Sequence, residues 1–188
     1  PSALPFPASK EWHVGRDALG AGEQILVFRK GGLAEGRNGF QAHASRFWLF
    51  PTRFHAQLEK TKPAAARWFD SAANASDPDC VHLRFFADTV RHAFVTDWNV
   101  IARLDPHHLW TLDAIRERFD WSHPAGIHVF ALRIHKLATP VPLPVAPAMG
   151  GCKSWIELPC DFDSSPSTPV LTDAAFQARL ACWPPLDA

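Results

Sequence analysis

The sequence predicts a single α+β domain: a mixed, mainly antiparallel and curled sheet with short flanking helices. Three observations lead there. Strand-like and helix-like stretches are intermingled without the regular alternation of βαβ units. The strand-like stretches carry β-branched and aromatic residues between breaks rich in Gly, Pro, Asn and Asp. The chain of 188 residues, 47% hydrophobic and 20% charged, has the composition of one globular unit with a sizeable core. Residues 10–160 are expected to form the domain, and 161–188 a linker and a C-terminal helix packed on it.

The elements follow in order. Lys10 to Ala21 reads as a short helix, with Trp12, Val14, Ala18 and Leu19 on one stripe and a stop near Gly20 and Gly22. Gln24 to Lys30 is a strand, and Gly31 to Gly39 a glycine-rich loop. Phe47 to Phe50 is a short buried segment ended by Pro51 and Thr52. Phe54 to Lys60 reads as helical, and Pro63 suits the first turn of a helix reaching about Ala73. Asn74 to Asp79 is a loop, and Val81 to Thr96 one long strand or two. Asp105 caps a helix start at Pro106, and Thr111, Ala114, Ile115, Arg118 and Phe119 mark another helix. Ile127 to Leu137 is the clearest strand, with Phe130, Leu132 and Ile134 on one face and Val129, Ala131, Arg133 and His135 on the other. Pro140 to Pro147 is extended and barred from the middle of a sheet. Lys153 to Leu158 is a strand, Ser164 to Pro169 a turn-rich linker, and Thr172 to Cys182 a helix capped by Thr172 or Asp173.

Composition narrows the function classes. Eight Trp and 14 Phe without a Tyr point to an aromatic core. Lys and Arg total 19, as do Asp and Glu, so a polyanion must be met by a local patch and not by a global field. Cys80, Cys152, Cys160 and Cys182 lack the two-residue spacing of zinc ribbons and redox motifs, and read as reduced thiols in a cytoplasm. The first eight residues show no basic run followed by an apolar stretch, so no secretory signal is expected, and no apolar run is long enough to span a membrane. No histidine spacing indicates a metal site, and no cofactor motif is present.

Lys10-Glu11-Trp12, Gly22-Glu23-Gln24-Ile25-Leu26, Arg29-Lys30-Gly31-Gly32, Phe47 through Thr52, Leu132-Arg133-Ile134 and Gly151-Cys152-Lys153-Ser154-Trp155 occur in an order that resembles the bacterial family catalogued as domain of unknown function 1802. The resemblance runs from about Lys10 to Leu158 and carries no catalytic residues with it. Gly22 to Arg29 is also similar to the turn and strand of the PUA-like and ASCH group of RNA-associated β-barrels, which implies a barrel-like architecture. Gly22 and Arg29 fit that group's Gly-x-Lys-x-x-Glu-x-Arg pattern, whereas Gln24 stands in place of its Lys and Val27 in place of its Glu.

Two polar, glycine-marked regions are the candidate sites. Arg29 and Lys30 lead into Gly31 and Gly32, where glycines free backbone N–H groups to cradle a phosphate beside two cations. Gly150-Gly151-Cys152-Lys153-Ser154-Trp155 places a thiol, an ammonium and a hydroxyl together on a flexible turn. The expected role is binding of a phosphate-bearing ligand, nucleic acid or a phosphorylated small molecule, by Arg29, Lys30, Gly31, Gly32, Lys153 and Ser154. The alternatives are a hydrolytic or transferase enzyme with Cys152 as nucleophile and His55 or His135 as base, and a protein-interaction module.

Overall fold

The strand at Ile127 is much longer than its apolar run, and its length organises the molecule. It continues to Pro144 as one of seven strands among the described residues: β1 Phe6–Trp12, β2 Leu26–Lys30, β3 Arg46–Thr52, β4 Cys80–Val95, β5 Ile127–Pro144, β6 Trp155–Leu158 and β7 Ser167–Pro169. The helices are α1 His13–Gly20, α2 Trp98–Arg103, α3 Leu112–Trp121 and α4 Asp173–Ala181. The computed structural model describes residues 6–30, 45–52, 58–69, 79–121, 123–151 and 153–186.

The strands form one mixed sheet in the order β2-β5-β4-β3-β1-β6, with β7 pairing part of β5. All pairings are antiparallel except β1 with β3. This is the expected α+β domain with a mainly antiparallel sheet. Its curl follows from one ion pair. Arg29 on β2 bonds to Glu11 on β1, four places away in strand order. In a flat sheet those strands stand roughly 19 Å apart, beyond an arginine's reach, so the sheet must bend round to bring them together.

Side-chain alternation sorts the core by face. Val27, Phe47, Leu49, Phe85, Ala87, Phe130, Leu132 and Ile134 share one cluster, into which α1 inserts Leu19. The other face carries two clusters. Leu26, Phe28, Ile127, Val129 and Ala131 pack under Val100, Ile115, Phe119 and Phe176 of α2, α3 and α4. Ala8, Trp48, Phe50, Leu83, Phe86, Ile156 and Leu158 form the second.

β5 shows how prolines fit inside a long strand. The Val145 N–H donates to the Asp79 carbonyl at the β4 end, so odd-numbered residues here turn their N–H toward β4. Pro140, Pro142 and Pro144 fall on the opposite parity, toward a side where neither β2 nor β7 pairs. A missing donor there costs no ladder bond.

Several sequence expectations are corrected. Lys10 to Trp12 belong to a strand and only His13–Gly20 is helical, because β1 is claimed by β3 on one side and β6 on the other. Leu58 to Lys60 is a turn, and Pro63 opens a short 3₁₀ helix ending at Trp68; residues 53–57 and 70–78 lie outside the described set. The stretch read from Val81 to Thr96 is a single strand, Cys80–Val95, whose register shifts twice against β5. The helix start assigned to Asp105 is a three-residue 3₁₀ turn, and the helix before it, α2, is capped by Asp97, whose side chain accepts from the Asn99 N–H. Ser167 to Pro169 pairs with β5 instead of serving only as a link. Thr172 is the cap of α4, its hydroxyl accepting from the Ala175 N–H at 3.2 Å. Gly22, with φ +73°, turns the chain from α1 into β2 in a conformation that other residues rarely adopt.

Candidate anion-binding recess

β1 is where Arg29 and the turn at Gly150 and Gly151 meet. The Arg29 Nη2 donates to the Lys10 carbonyl at 3.0 Å and also to Ser9 Oγ and Glu11 Oε1. The Lys10 Nζ donates to the carbonyls of Gly150 and Gly151, both at 3.1 Å, and the Lys10 N–H donates to the Ser154 carbonyl at 2.9 Å. Ser9 and Glu11 alternate with Ala8, so they face Arg29 across the curled sheet while Ala8 enters the core behind.

Beside this junction lies a small recess lined by Lys10, Glu11, Trp12, Gly15, Gln24, Phe28, Arg29, Trp110 and Arg118, among others. Its space, about 40 Å³, equals that of a few waters, enough for one phosphate group and too small for a nucleoside. Three cations and one carboxylate line it. Arg118 rises from α3 with its guanidinium 5.2 Å from the Trp12 ring and 5.5 Å from the Trp110 ring, which meet edge to face at 4.9 Å. Burial and then the neighbouring Arg29 charge lower its pKa, with Glu11 and Glu117 opposing. A guanidinium nevertheless stays protonated near neutrality. Arg118 makes no hydrogen bond or ion pair among the described residues, whereas Arg29 is held by Glu11.

The expected site residues are thus distributed unevenly. Arg29 is half-buried and committed to β1. Lys30 is exposed at the end of β2, its Nζ 4.5 Å from the ring centroid of the exposed Trp121. Lys153 and Ser154 are exposed on the turn before β6. Gly31, Gly32, His55 and Cys152 lie outside the described residues. His135, the other candidate base, donates from Nε2 at 3.0 Å to Asp88 Oδ2 and stacks on Phe86. Sequence reasoning missed Arg118 as a site residue, although its place on the inward stripe of α3 between Ile115 and Phe119 was a usable signal: a cation on an apolar stripe needs a reason to be there. Glu11 escaped notice because its stretch was read as helix.

Two other histidine groups are neutral near pH 7. His92 Nε2 and His128 Nδ1 are 2.8 Å apart on paired strands, and burial, then the charge of His92, push His128 down to about 4. His108 is pushed down to about 3, first by burial and then by the Lys62 charge. In the unfolded chain the same ring titrates near 6.5, so the unfolded state takes up the proton first. Stability from His108 is therefore full above pH 6.5 and falls as pH drops toward 3, by about 1.4 kcal/mol per unit. Urea unfolding across that range should show a slope reduced by about this amount in His108→Gln; identical slopes would exclude the assignment.

Among the described residues no group of three or more His, Cys, Asp or Glu is placed to hold a metal ion, and no helix is long and apolar enough to cross a membrane. No curated protein matches the chain. Two solved structures are similar in shape: the crystal structure of ASCH from Zymomonas mobilis, 14% identical over 94% of this chain and 93% of that one with a TM-score of 0.49, and a mutant of that protein, 12% identical over 95% and 98%, also at 0.49. Residues 8–181, a span that includes both glycine-marked regions, most of β1 and Arg118, match one family, and the chain belongs to it: the family described as Domain of unknown function (DUF1802).

Proposed function

We propose that the protein binds a phosphate-bearing ligand at the recess between β1, β2 and α3, with nucleic acid as the leading ligand class. The observation that carries this reading is Arg118: a guanidinium packed on two indole rings, beside Arg29, with no hydrogen-bonded acid among the described residues. Holding such a charge half-buried against aromatic rings costs stability unless a partner arrives. A phosphate oxygen supplies that partner, and a guanidinium fork suits it. Lys30 and the exposed Trp121 ring stand at the β2 and α3 ends, where a base stacks on the indole and a further phosphate meets the ammonium. Gly31 and Gly32, which follow Lys30 in the sequence, would add backbone donors, and Lys153 and Ser154 extend the reading from the side where Lys10 holds the turn. Zero net charge fits a local contact and not a broad duplex-binding surface.

Fluorescence anisotropy with short labelled single strands, repeated at several salt concentrations, tests the reading. Wild type should bind saturably. Arg118→Gln should weaken binding by roughly 10- to 100-fold, the worth of one charge-assisted hydrogen-bond set, and lower the salt slope by about 0.7. Unchanged affinity and slope in Arg118→Gln would remove the recess from the function. Competition by inorganic phosphate, with no preference for oligonucleotides, would instead assign a phosphorylated small molecule.

A further inference from the structure

We propose that a second groove, walled by Arg67 and Arg179, is a binding site for an oxyanion group, phosphate or carboxylate, of a small molecule. It is lined by Glu23, Gln24, Arg67, Pro106, His107, His108, Leu109 and Arg179 and holds about 250 Å³, several times the volume of the recess. Gln24 lines both spaces, and the segment His108 to Trp110 divides them.

Two guanidinium groups from distant parts of the chain converge here on one residue. Arg67, from the 3₁₀ helix after Pro63, pairs with the Glu23 carboxylate. Arg179, from the last turn of α4, donates from Nη1 to the Glu23 backbone carbonyl at 2.8 Å and meets no carboxylate among the described residues. A carbonyl occupies one of the five N–H donors of Arg179 and leaves the fork open, and the Arg67 side chain is largely exposed. Among the described residues, two cations against a single carboxylate leave the walls with a positive excess.

His108 forms the groove's buried part. Its side chain has no exposure, and its Nδ1 accepts from the Trp110 N–H at 3.2 Å, so in the neutral ring the proton sits on Nε2. That Nε2 has no hydrogen-bond partner among the described residues, and the nearest carboxylate oxygen, Asp105 Oδ1, is 3.9 Å away. A buried donor without an acceptor is costly and uncommon. Gln24 holds the ring's segment in place, its Oε1 accepting from the Leu109 N–H at 3.1 Å and its Nε2 donating to the Leu26 carbonyl. The groove thus presents two forked cations, one of which meets no carboxylate among the described residues, a donor set that suits an oxyanion, and the buried His108 ring beneath reports on its occupancy.

The test is an NMR titration of the ¹⁵N-labelled full chain with inorganic phosphate and, separately, malonate, observing the imidazole resonances of His107 and His108. Saturable shifts with either anion are expected. In the double variant Arg67→Gln/Arg179→Gln, with folding checked by thermal unfolding, apparent affinity should fall about ten-fold or more. Arg67→Lys/Arg179→Lys, which keeps charge and loses the forks, should fall between. Arg118→Gln should leave the His107 and His108 shifts intact, which separates this site from the recess. Absence of saturable shifts, or shifts that survive in the double glutamine variant, would overturn the proposal. Response to phosphate alone or malonate alone would support it and name the group.

Discussion

Trp48→Ala should lower the free energy of unfolding by about 3–5 kcal/mol, the cost of a large aromatic truncation in a closed core. Trp48 has no solvent exposure. It sits on β3 between two strands, in register with Ala8 of β1 and Phe86 of β4, and its ring meets Phe86 edge to face at 5.8 Å and Phe162 at 5.2 Å. Its Nε1–H donates to the Cys160 carbonyl at 2.8 Å, tying the segment after β6 to the sheet. Truncation therefore opens a cavity and strands a buried carbonyl together. Trp48→Phe separates the two effects: it keeps most of the ring and loses the hydrogen bond, at about 1–3 kcal/mol. Urea unfolding of both variants reads these costs, and a loss below about 1.5 kcal/mol in Trp48→Ala would mean the site collapses to fill the void. Trp155 provides the contrast. It is only half-buried, edge-on to Phe47 at 4.9 Å, so its truncation should cost less.

Glu11→Ala should separate stability from ligand binding. The Glu11 carboxylate is 9% exposed and is the one acid lining the recess, bonded to Arg29 and to Ser9 Oγ. Removing one member of a buried ion pair leaves the other charge uncompensated, and about 3–5 kcal/mol of stability should be lost. The same change removes the carboxylate that faces Arg29 in the recess, so affinity for inorganic phosphate should rise in the folded fraction. Glu11→Gln retains the shape and a hydrogen-bond acceptor and should lose less. Chemical denaturation and phosphate titration, run on the same samples below the unfolding range, measure both quantities. Loss of stability with unchanged or weaker phosphate binding would show that Glu11 orders the recess instead of opposing its ligand.

How far the sequence reaches is clearest on β5. Its period-two alternation assigned Phe130, Leu132 and Ile134 to one face and Val129 and Ala131 to the other, and these residues do lie in different clusters. Side-chain period is a local property of an extended chain, so local sequence suffices. The extended state of the proline segment and the Thr172 cap were legible for the same reason. β1 was not. Lys10 to Trp12 runs into a helix-compatible stretch, and only the parallel neighbour Trp48 to Thr52 and the antiparallel neighbour Trp155 to Leu158 make it a strand.

The site divides along the same line. The sequence alone determined that the chain is an α+β domain with an aromatic core and that polar groups gather at Arg29 and at Gly151, because composition, alternation and glycine placement are properties of adjacent residues. Only the tertiary structure decided that Arg29 and the turn at Gly150 and Gly151 meet at Lys10, that Arg29 is bonded to Glu11, and that Arg118 stands beside them on two tryptophan rings. Those contacts join residues brought together by the curl of a seven-stranded sheet. Pairing over such separations depends on which strands hydrogen-bond and which faces exclude water, and neither is encoded within any single stretch of the chain.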